Sequence, residues 1–320
     1  MKNFLRSAAN WKLVVPALFL GLCFAATAAQ AQLGVEGPTG IYVTPLAYTV
    51  ASPANGLGKP TIAYHFMGLG SILGDFSTFS VTEGFGKRFE VGYTSVMHSG
   101  TSYLGSDGAI LYDEGKYGTN HDFSIIHGKA TVINENSFGT KWVPAISVGG
   151  IFRFNDHNGI NGAYVYPSDS DSAWQNTRNG DIYVVGSKTI TQISKHVPVL
   201  FTAGLRGTDA SLWGLAGNAP SIELRAFSSL ALVFHGPYKS TIIAGTEFAQ
   251  QPQQLKVGLE KIPTELVDIP STNTYAVRIV PTPKYKLNID LGVLHATHHE
   301  DTGLQANVND RFVAGASYAF

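Results

Sequence analysis

Beyond residue 60 the apolar residues fall on alternate positions, in segments of roughly 8–14 residues divided by turn residues. Phe89, Val91, Tyr93 and Met97 share one face, opposite Arg88, Glu90, Gly92 and Thr94. Ile146, Val148, Phe152 and Phe154 oppose Ser147, Gly149 and Arg153, and Val197, Val199, Phe201, Ala203 and Leu205 oppose Thr202, Gly204 and Arg206. Ile222, Leu224, Ala226, Leu230, Leu232 and Phe234 oppose Glu223, Arg225 and Ser229. Tyr275, Val277 and Ile279 oppose Arg278, and Tyr285, Leu287, Ile289, Leu291 and Val293 oppose Lys286, Asn288 and Asp290. Successive side chains of a strand point to opposite faces, so each segment predicts a strand with one oily side and one small or polar side. Segments 121–134 and 181–193 alternate less cleanly. Each signal is weak alone, and their number carries the reading.

The connections alternate in length. Gly86-Lys87, 135–141, Ser194 to His196, His235 to Pro237 and Pro281-Thr282-Pro283 are short, whereas 98–120, 155–180, 208–220 and 298–309 are long. Short turns at one end and long loops at the other are what an up-and-down barrel crossing an outer membrane presents. The predicted strands are 60–67, 76–85, 88–97, 121–134, 142–154, 181–193, 197–207, 221–234, 239–249, 273–281, 284–297 and 310–320. Leu255 to Glu260 also alternates, but counting it as a spanning strand would put long loops at the turn end, so 250–272 reads as one outer loop. The fold class is therefore all-β: a transmembrane antiparallel up-and-down barrel of twelve strands. Fourteen is the alternative, if 254–261 spans and 40–48 is also a strand.

The N-terminus reads differently. Lys2, Arg6 and Lys12 precede an apolar stretch at 13–26, and Ala29-Gln30-Ala31 makes an A-x-A site, which predicts a signal peptide cleaved after Ala31. The only cysteine, Cys23, lies inside it, so the exported chain has neither disulfide nor thiol chemistry. A lipoprotein reading is poor because Leu22, not a small residue, precedes Cys23. Residues 32–59 are rich in Gly, Pro and Thr, and Pro45 interrupts the one strand-like piece, Ile41-Tyr42-Val43-Thr44. Proline cannot donate to a sheet ladder, so this stretch reads as an arm at the turn end or a plug inside the barrel. The division is signal peptide 1–31, arm or plug 32–59, barrel 60–320.

Composition agrees. Charged residues are 14% of the chain, against roughly 25% in soluble proteins. Past the signal there is no uninterrupted apolar run of roughly 18 residues, so no spanning helix is expected. Losing the basic signal leaves the chain mildly acidic, which does not suggest a nucleic-acid partner.

The last stretch, Asp-Arg-Phe-Val-Ala-Gly-Ala-Ser-Tyr-Ala-Phe, sets Phe312, Ala314, Ala316, Tyr318 and Phe320 on one face. It resembles the C-terminal strand of Gram-negative outer-membrane β-barrels, with a final Phe and an aromatic two residues earlier. The resemblance implies that Phe312, Tyr318 and Phe320 belong to the strand that closes the barrel and is read by the assembly machinery. It implies an outer-membrane location after export, with membrane lipid and that machinery as partners. Separately, the Gly37-Pro38-Thr39-Gly40-Ile41…Thr44-Pro45 start is similar to barrels that assist export of a surface polymer.

On the barrel reading the oily faces meet lipid. The lumen receives Arg88, Glu90, Arg153, Arg206, Glu223, Arg225, Arg278, Lys286, Asp290 and Arg311, seven cations against three anions. They form either a structural network filling a narrow interior or a lining that favours polar or anionic solutes. Tyr64, Trp142, Phe154, Tyr183, Tyr238, Tyr275, Tyr285 and Phe320 are placed near strand ends for interfacial girdles. The candidate chemistry is His295-Ala-Thr297-His298-His299-Glu300-Asp301: His295 and Thr297 share a strand face, with Glu300 near as a carboxylate. It is loosely similar to the His-x-Ser-Asn motif of outer-membrane lipases and lipid A deacylases, with Thr297 in place of Ser and His298 in place of Asn. His295, His298 and His299 match no zinc spacing. The loop acids Asp107, Asp113, Glu114, Asp169 and Asp171 match no calcium loop, and Gly68 to Gly74 has the wrong spacing for a nucleotide loop. No cofactor or metal is expected. The functional expectation is a narrow channel or transporter for small polar or anionic solutes; the alternatives are a lipid hydrolase or deacylase and a non-conducting barrel assisting polymer export.

Overall fold

The computed structural model describes residues 32–68, 75–99, 103–104, 110–112, 120–154, 178–191, 197–214, 218–255, 266–267, 269–282, 286–296 and 310–320. Twelve strands close on themselves. They are β1 (Thr61–Gly68), β2 (Asp75–Phe85), β3 (Phe89–Ser99), β4 (Asn120–Ile133), β5 (Ala145–Phe154) and β6 (Arg178–Ile190). They continue as β7 (Val199–Ala210), β8 (Asn218–His235), β9 (Thr241–Ala249), β10 (Thr272–Val280), β11 (Leu287–Ala296) and β12 (Arg311–Ala319). Each pairs antiparallel with its chain neighbours, and β12 pairs with β1 from Thr61↔Ala319 to Met67↔Val313. Closure leaves no unpaired sheet edge.

Twelve strands in an up-and-down barrel are what the alternation predicted. The fourteen-strand alternative falls. Among the described residues Gln254–Leu255 pairs with Leu266–Val267 in a separate two-stranded sheet, and 40–48 joins no barrel strand. Boundaries shift by a few residues: β5 begins at Ala145, after Pro144, and β7 at Val199, after Pro198, since neither proline can donate to a ladder.

The oily positions point outward. Tyr64, Phe79, Val91, Tyr93, Phe152, Val184, Phe201, Leu205, Leu230, Tyr275, Leu291 and Phe312 are all exposed. The inward positions beside them are buried, as Glu90, Thr94, Arg153, Thr202, Arg206, Arg278 and Asp290 show. Phe312 and Tyr318 face outward on β12 and Phe320 is exposed just beyond it, with Tyr318 and Phe320 edge to face at 5.0 Å.

The two poorly alternating segments have a physical explanation. Phe123 and Ile125 of β4 and Tyr183 and Val185 of β6 are buried inside, while Ile126, Ile182 and Val184 are exposed outside. Both faces of these strands are apolar, because the interior holds an apolar core as well as charges.

That core exists because residues 32–50 lie inside the barrel. They form a compact knot of tight turns. Leu33 bridges Thr39 and Gly40 bridges Pro45, while Gly34 N–H donates to the Pro38 carbonyl at 2.7 Å and Val35 N–H to the Tyr42 carbonyl at 2.7 Å. Gly37 has φ 103°, and a Cβ there would run into the side chains of Thr94 and His127, so any other residue would meet both strain and collision. Val35, Tyr42, Val43 and Ala47 pack with Met67, Phe123, Ile125, Tyr183 and Phe227 of the wall. The chain leaves the lumen at the short-turn end. There Gly58 N–H donates to the Gly84 carbonyl at 2.8 Å, and the chain runs into β1. At the opposite end Ser211–Gly214 folds inward, with Leu212 and Trp213 buried and Gly214 against Arg153.

Two expectations need correction. Arg88 and Lys286 do not face the lumen. Both are exposed in short turns beside left-handed residues (Lys87, φ 61°; Lys286 itself, φ 49°), where strand alternation no longer applies. Lys286 Nζ instead donates to the Phe320 carbonyl at 2.9 Å. Tyr183 belongs to no outer girdle: it is an inward position, and its ring lies over Gly149, where a Cβ would collide with it. Of the other girdle candidates, Tyr64, Tyr275 and Phe320 are exposed on the outer face, Phe154 is half-buried, and Trp142 and Tyr238 stand exposed in turns. Tyr285 lies outside the described residues, as does the stretch 1–31 expected to be a signal peptide.

Candidate functional site

The strands place polar side chains on the inner wall, and the plug, which joins no ladder, carries backbone groups that need partners. The wall supplies them. Its contacts are mostly to plug backbone, which makes the lumen a receptacle for this chain segment.

Four anchors dominate. On β9, Glu247 receives the N–H groups of Tyr42 (3.0 Å), Val43 (3.1 Å) and Thr44 (2.8 Å), and the Thr44 hydroxyl at 2.6 Å. Three successive N–H groups converging on one carboxylate form an anion-binding nest. On β3, Glu90 accepts from Thr39 N–H (2.9 Å), the Thr39 hydroxyl (2.6 Å) and Val50 N–H (2.9 Å). Its partner Lys129 of β4, 2.8 Å away, donates to the carbonyls of Thr39 (3.1 Å) and Leu46 (2.9 Å).

The third anchor joins plug to wall through charge. Arg153 of β5 donates through Nε to Glu36 of the plug at 3.0 Å, with a second contact from Nη2. Its Nη2 also donates to Asp181 of β6 at 2.7 Å and its Nη1 to Asn179 at 3.1 Å. Arg206 of β7 bridges the same two acids, at 3.3 Å from Glu36 and 3.1 Å from Asp181. The fourth is Arg278 of β10, paired with Asp290 of β11 at 3.0 Å and donating to the Ile41 carbonyl at 2.5 Å.

Hydroxyls complete the seat. Thr82 donates to the Gly37 carbonyl at 2.9 Å, and Ser147 to the Ala47 carbonyl at 2.6 Å, while Ser187 Oγ accepts from Ala47 N–H at 2.9 Å. The Tyr42 hydroxyl reaches the carbonyls of Phe66 (2.7 Å) and Ala314 (3.0 Å), which are paired across the β1–β12 seam. Near the short-turn end the Tyr48 hydroxyl donates to Glu135 at 2.9 Å, and Glu135 also holds Lys188 at 3.1 Å. Burial raises the Tyr48 hydroxyl above the usual phenol range and Glu135 pushes the same way, so it donates as a neutral phenol.

Of the charges predicted for the lumen, Glu90, Arg153, Arg206, Arg278 and Asp290 are buried and contact the plug or one another. Glu223 and Arg225 are half-buried and pair with each other on β8, and Arg311 is half-buried on β12. The sequence reading missed Glu36, Lys129, Asp181 and Glu247. Lys129 and Asp181 sit on the two strands whose alternation was blurred, and Glu36 lay in a stretch with no strand pattern at all. Among the described residues the buried charges balance: Glu36, Glu90, Asp181, Glu247 and Asp290 against Lys129, Arg153, Lys188, Arg206 and Arg278. That replaces the cationic excess counted from the sequence.

His295 is half-buried on β11, with Nδ1 3.3 Å from Asp310. Thr297, His298, His299, Glu300 and the loop acids Asp107, Asp113, Glu114, Asp169 and Asp171 lie outside the described residues.

Replacing Arg153 with Ala leaves Glu36 and Asp181 enclosed with Arg206 alone. A broken buried pair of this kind costs about 3–5 kcal/mol. The Arg153→Ala barrel is expected to unfold at distinctly lower urea concentration in detergent, with Arg153→Lys between it and the parent. Equal midpoints for all three would show that the network bears no load.

Cavities of about 20 Å³ beside Tyr42, Arg278 and Asp290, and of about 10 Å³ beside Glu36 and Pro38, are on the scale of a single water.

No protein-family model matches the chain, and no curated protein matches it. Among solved structures it is similar to LpxR from Salmonella typhimurium at 12% identity and TM-score 0.46, covering 81% of this chain and 100% of that one. It is similar to an outer-membrane channel from Pseudomonas putida F1 at 8% identity and TM-score 0.44, covering 84% and 97%. It is similar to the KdgM porin at 11% identity and TM-score 0.42, covering 81% and 99%.

Proposed function

We propose that this chain is an outer-membrane β-barrel held shut by its own N-terminal segment, a non-conducting barrel in its resting state. The observation that carries the reading is the seated plug: residues 32–50 lie buried in the lumen, and two cavities beside them are on the scale of a single water. The membrane assignment is supported by the outer face. A closed ring of strands, eight to eighteen residues long, shows water a nearly unbroken apolar surface, whereas lipid requires both the closure and the apolar face. A role assisting export of a surface polymer is supported by the stretch from Gly37 to Pro45, which carries that resemblance and also makes most of the plug's anchors.

A second reading, a channel for small solutes that opens when the plug moves, is favoured by one feature. The wall grips the plug through discrete polar groups on its backbone, and each can be exchanged for water. The hydrolase reading has no comparable support, since His295 is paired with Asp310 at the barrel's outer end.

The whole chain is expected to fractionate with outer membranes, to shift in gel mobility on heating, and to pass no steady current in planar bilayers. Steady current from the folded, heat-shifting protein would overturn the closed reading. Absence from outer-membrane fractions would overturn the membrane assignment.

A further inference from the structure

We propose that Gln32 becomes the first residue of the exported chain and is converted to a cyclic pyroglutamyl group that lodges in the lumen. This rests on the reading of 1–31 as a cleaved leader. The A-x-A site places the cut immediately before Gln32.

Gln32 is fully enclosed. Its carbonyl accepts from Gly40 N–H at 3.0 Å, and the next residue, Leu33, packs with Val50 and Ala63 in a small apolar cluster. Its side-chain amide is buried, yet among the described residues neither Nε2 nor Oε1 has a hydrogen-bond partner. A chain starting here would add an α-ammonium at the same enclosed place. Along the plug Glu36 is engaged by Arg153, Glu90 by Lys129 and Glu247 by three backbone N–H groups, while Asp290 meets Arg278 through Oδ1 and keeps Oδ2 without a hydrogen-bond partner among the described residues. An enclosed cation without a partner is strongly disfavoured, and unpaired amide donors add to the cost.

One reaction removes the first fault and lessens the second. The free α-amine nitrogen attacks the side-chain carbonyl carbon, and a new C–N bond closes a five-membered lactam. The bond to Nε2 breaks, an amine proton passes to the departing nitrogen, and ammonia leaves. No oxidant, reductant or co-reactant is consumed, and holding both groups on one residue favours closure. The product carries no charge, and only one N–H and one C=O in place of an ammonium and a primary amide. Because the seated residue is shut away from water, closure takes place after the leader is released and before the wall closes around the plug.

The test is mass spectrometry of the N-terminal peptide and of the intact chain, on protein taken from outer membranes and quenched at once. The expected chain begins at residue 32 and is lighter by one ammonia than the open-glutamine form. It resists stepwise N-terminal degradation until pyroglutamyl aminopeptidase has acted on the unfolded chain. An open Gln32 with a free amine, or a ring that forms only on storage, overturns the cyclisation. A chain that begins anywhere else overturns the leader reading beneath it.

Discussion

A chain with its leader intact but without residues 32–50 is expected to pass steady ionic current in a planar bilayer where the whole chain passes none. The barrel's closure does not depend on the plug, since all twelve strand pairings are made between strands outside it. Deletion removes Val35, Tyr42, Val43 and Ala47 from the interior core and leaves the wall's donors and acceptors free for water. A twelve-stranded barrel is narrow, so the conductance should be small compared with a sixteen-stranded porin. Ion preference should be weak. With Glu36 gone, the buried wall retains Glu90, Asp181, Glu247 and Asp290 against Lys129, Arg153, Lys188, Arg206 and Arg278, nearly balanced. Reversal-potential measurements in a salt gradient read this directly. A strongly anion-selective pore would contradict the balance, and a silent but heat-shifting deletion would show that something else closes the lumen.

Glu247→Ala is expected to have the largest effect of any single substitution on the plug. It removes the only described acceptor for the N–H groups of Tyr42, Val43 and Thr44, together with the partner of the Thr44 hydroxyl. An orphaned buried polar group costs about 1–3 kcal/mol, and water entering the vacated space recovers part of it. A net loss of about 4 kcal/mol would raise the unseated fraction roughly a thousandfold. The expected readout is intermittent current in bilayers, with faster hydrogen exchange at residues 42–44 and an unchanged heat shift. Glu247→Gln keeps one acceptor oxygen and should fall between. If Glu247→Ala stays silent and exchanges as slowly as the parent, the nest does not hold the plug.

The barrel could be read without coordinates because its pattern is local and repeated. Whether Val91 or Glu90 faces outward follows from strand parity, and parity needs only a neighbour's position in the chain. Parity fails at turns, which is why Arg88 and Lys286 were misplaced. It also says nothing about Tyr183, an aromatic whose inward place depends on the space left by Gly149 on the adjacent strand. Glu247 was passed over for a related reason. A lone acid on a strand gives no sign that three N–H groups from a segment some two hundred residues earlier will meet it.

By itself the sequence determined a closed up-and-down barrel of twelve strands, or else fourteen, with its oily residues outward, because alternation and loop length are properties of neighbouring residues. Only the tertiary structure decided that the Gly- and Pro-rich start lies inside as a plug, and that the buried charges balance around it. Those facts come from contacts between distant segments, where the plug's unpaired backbone groups find partners that the barrel wall alone can supply.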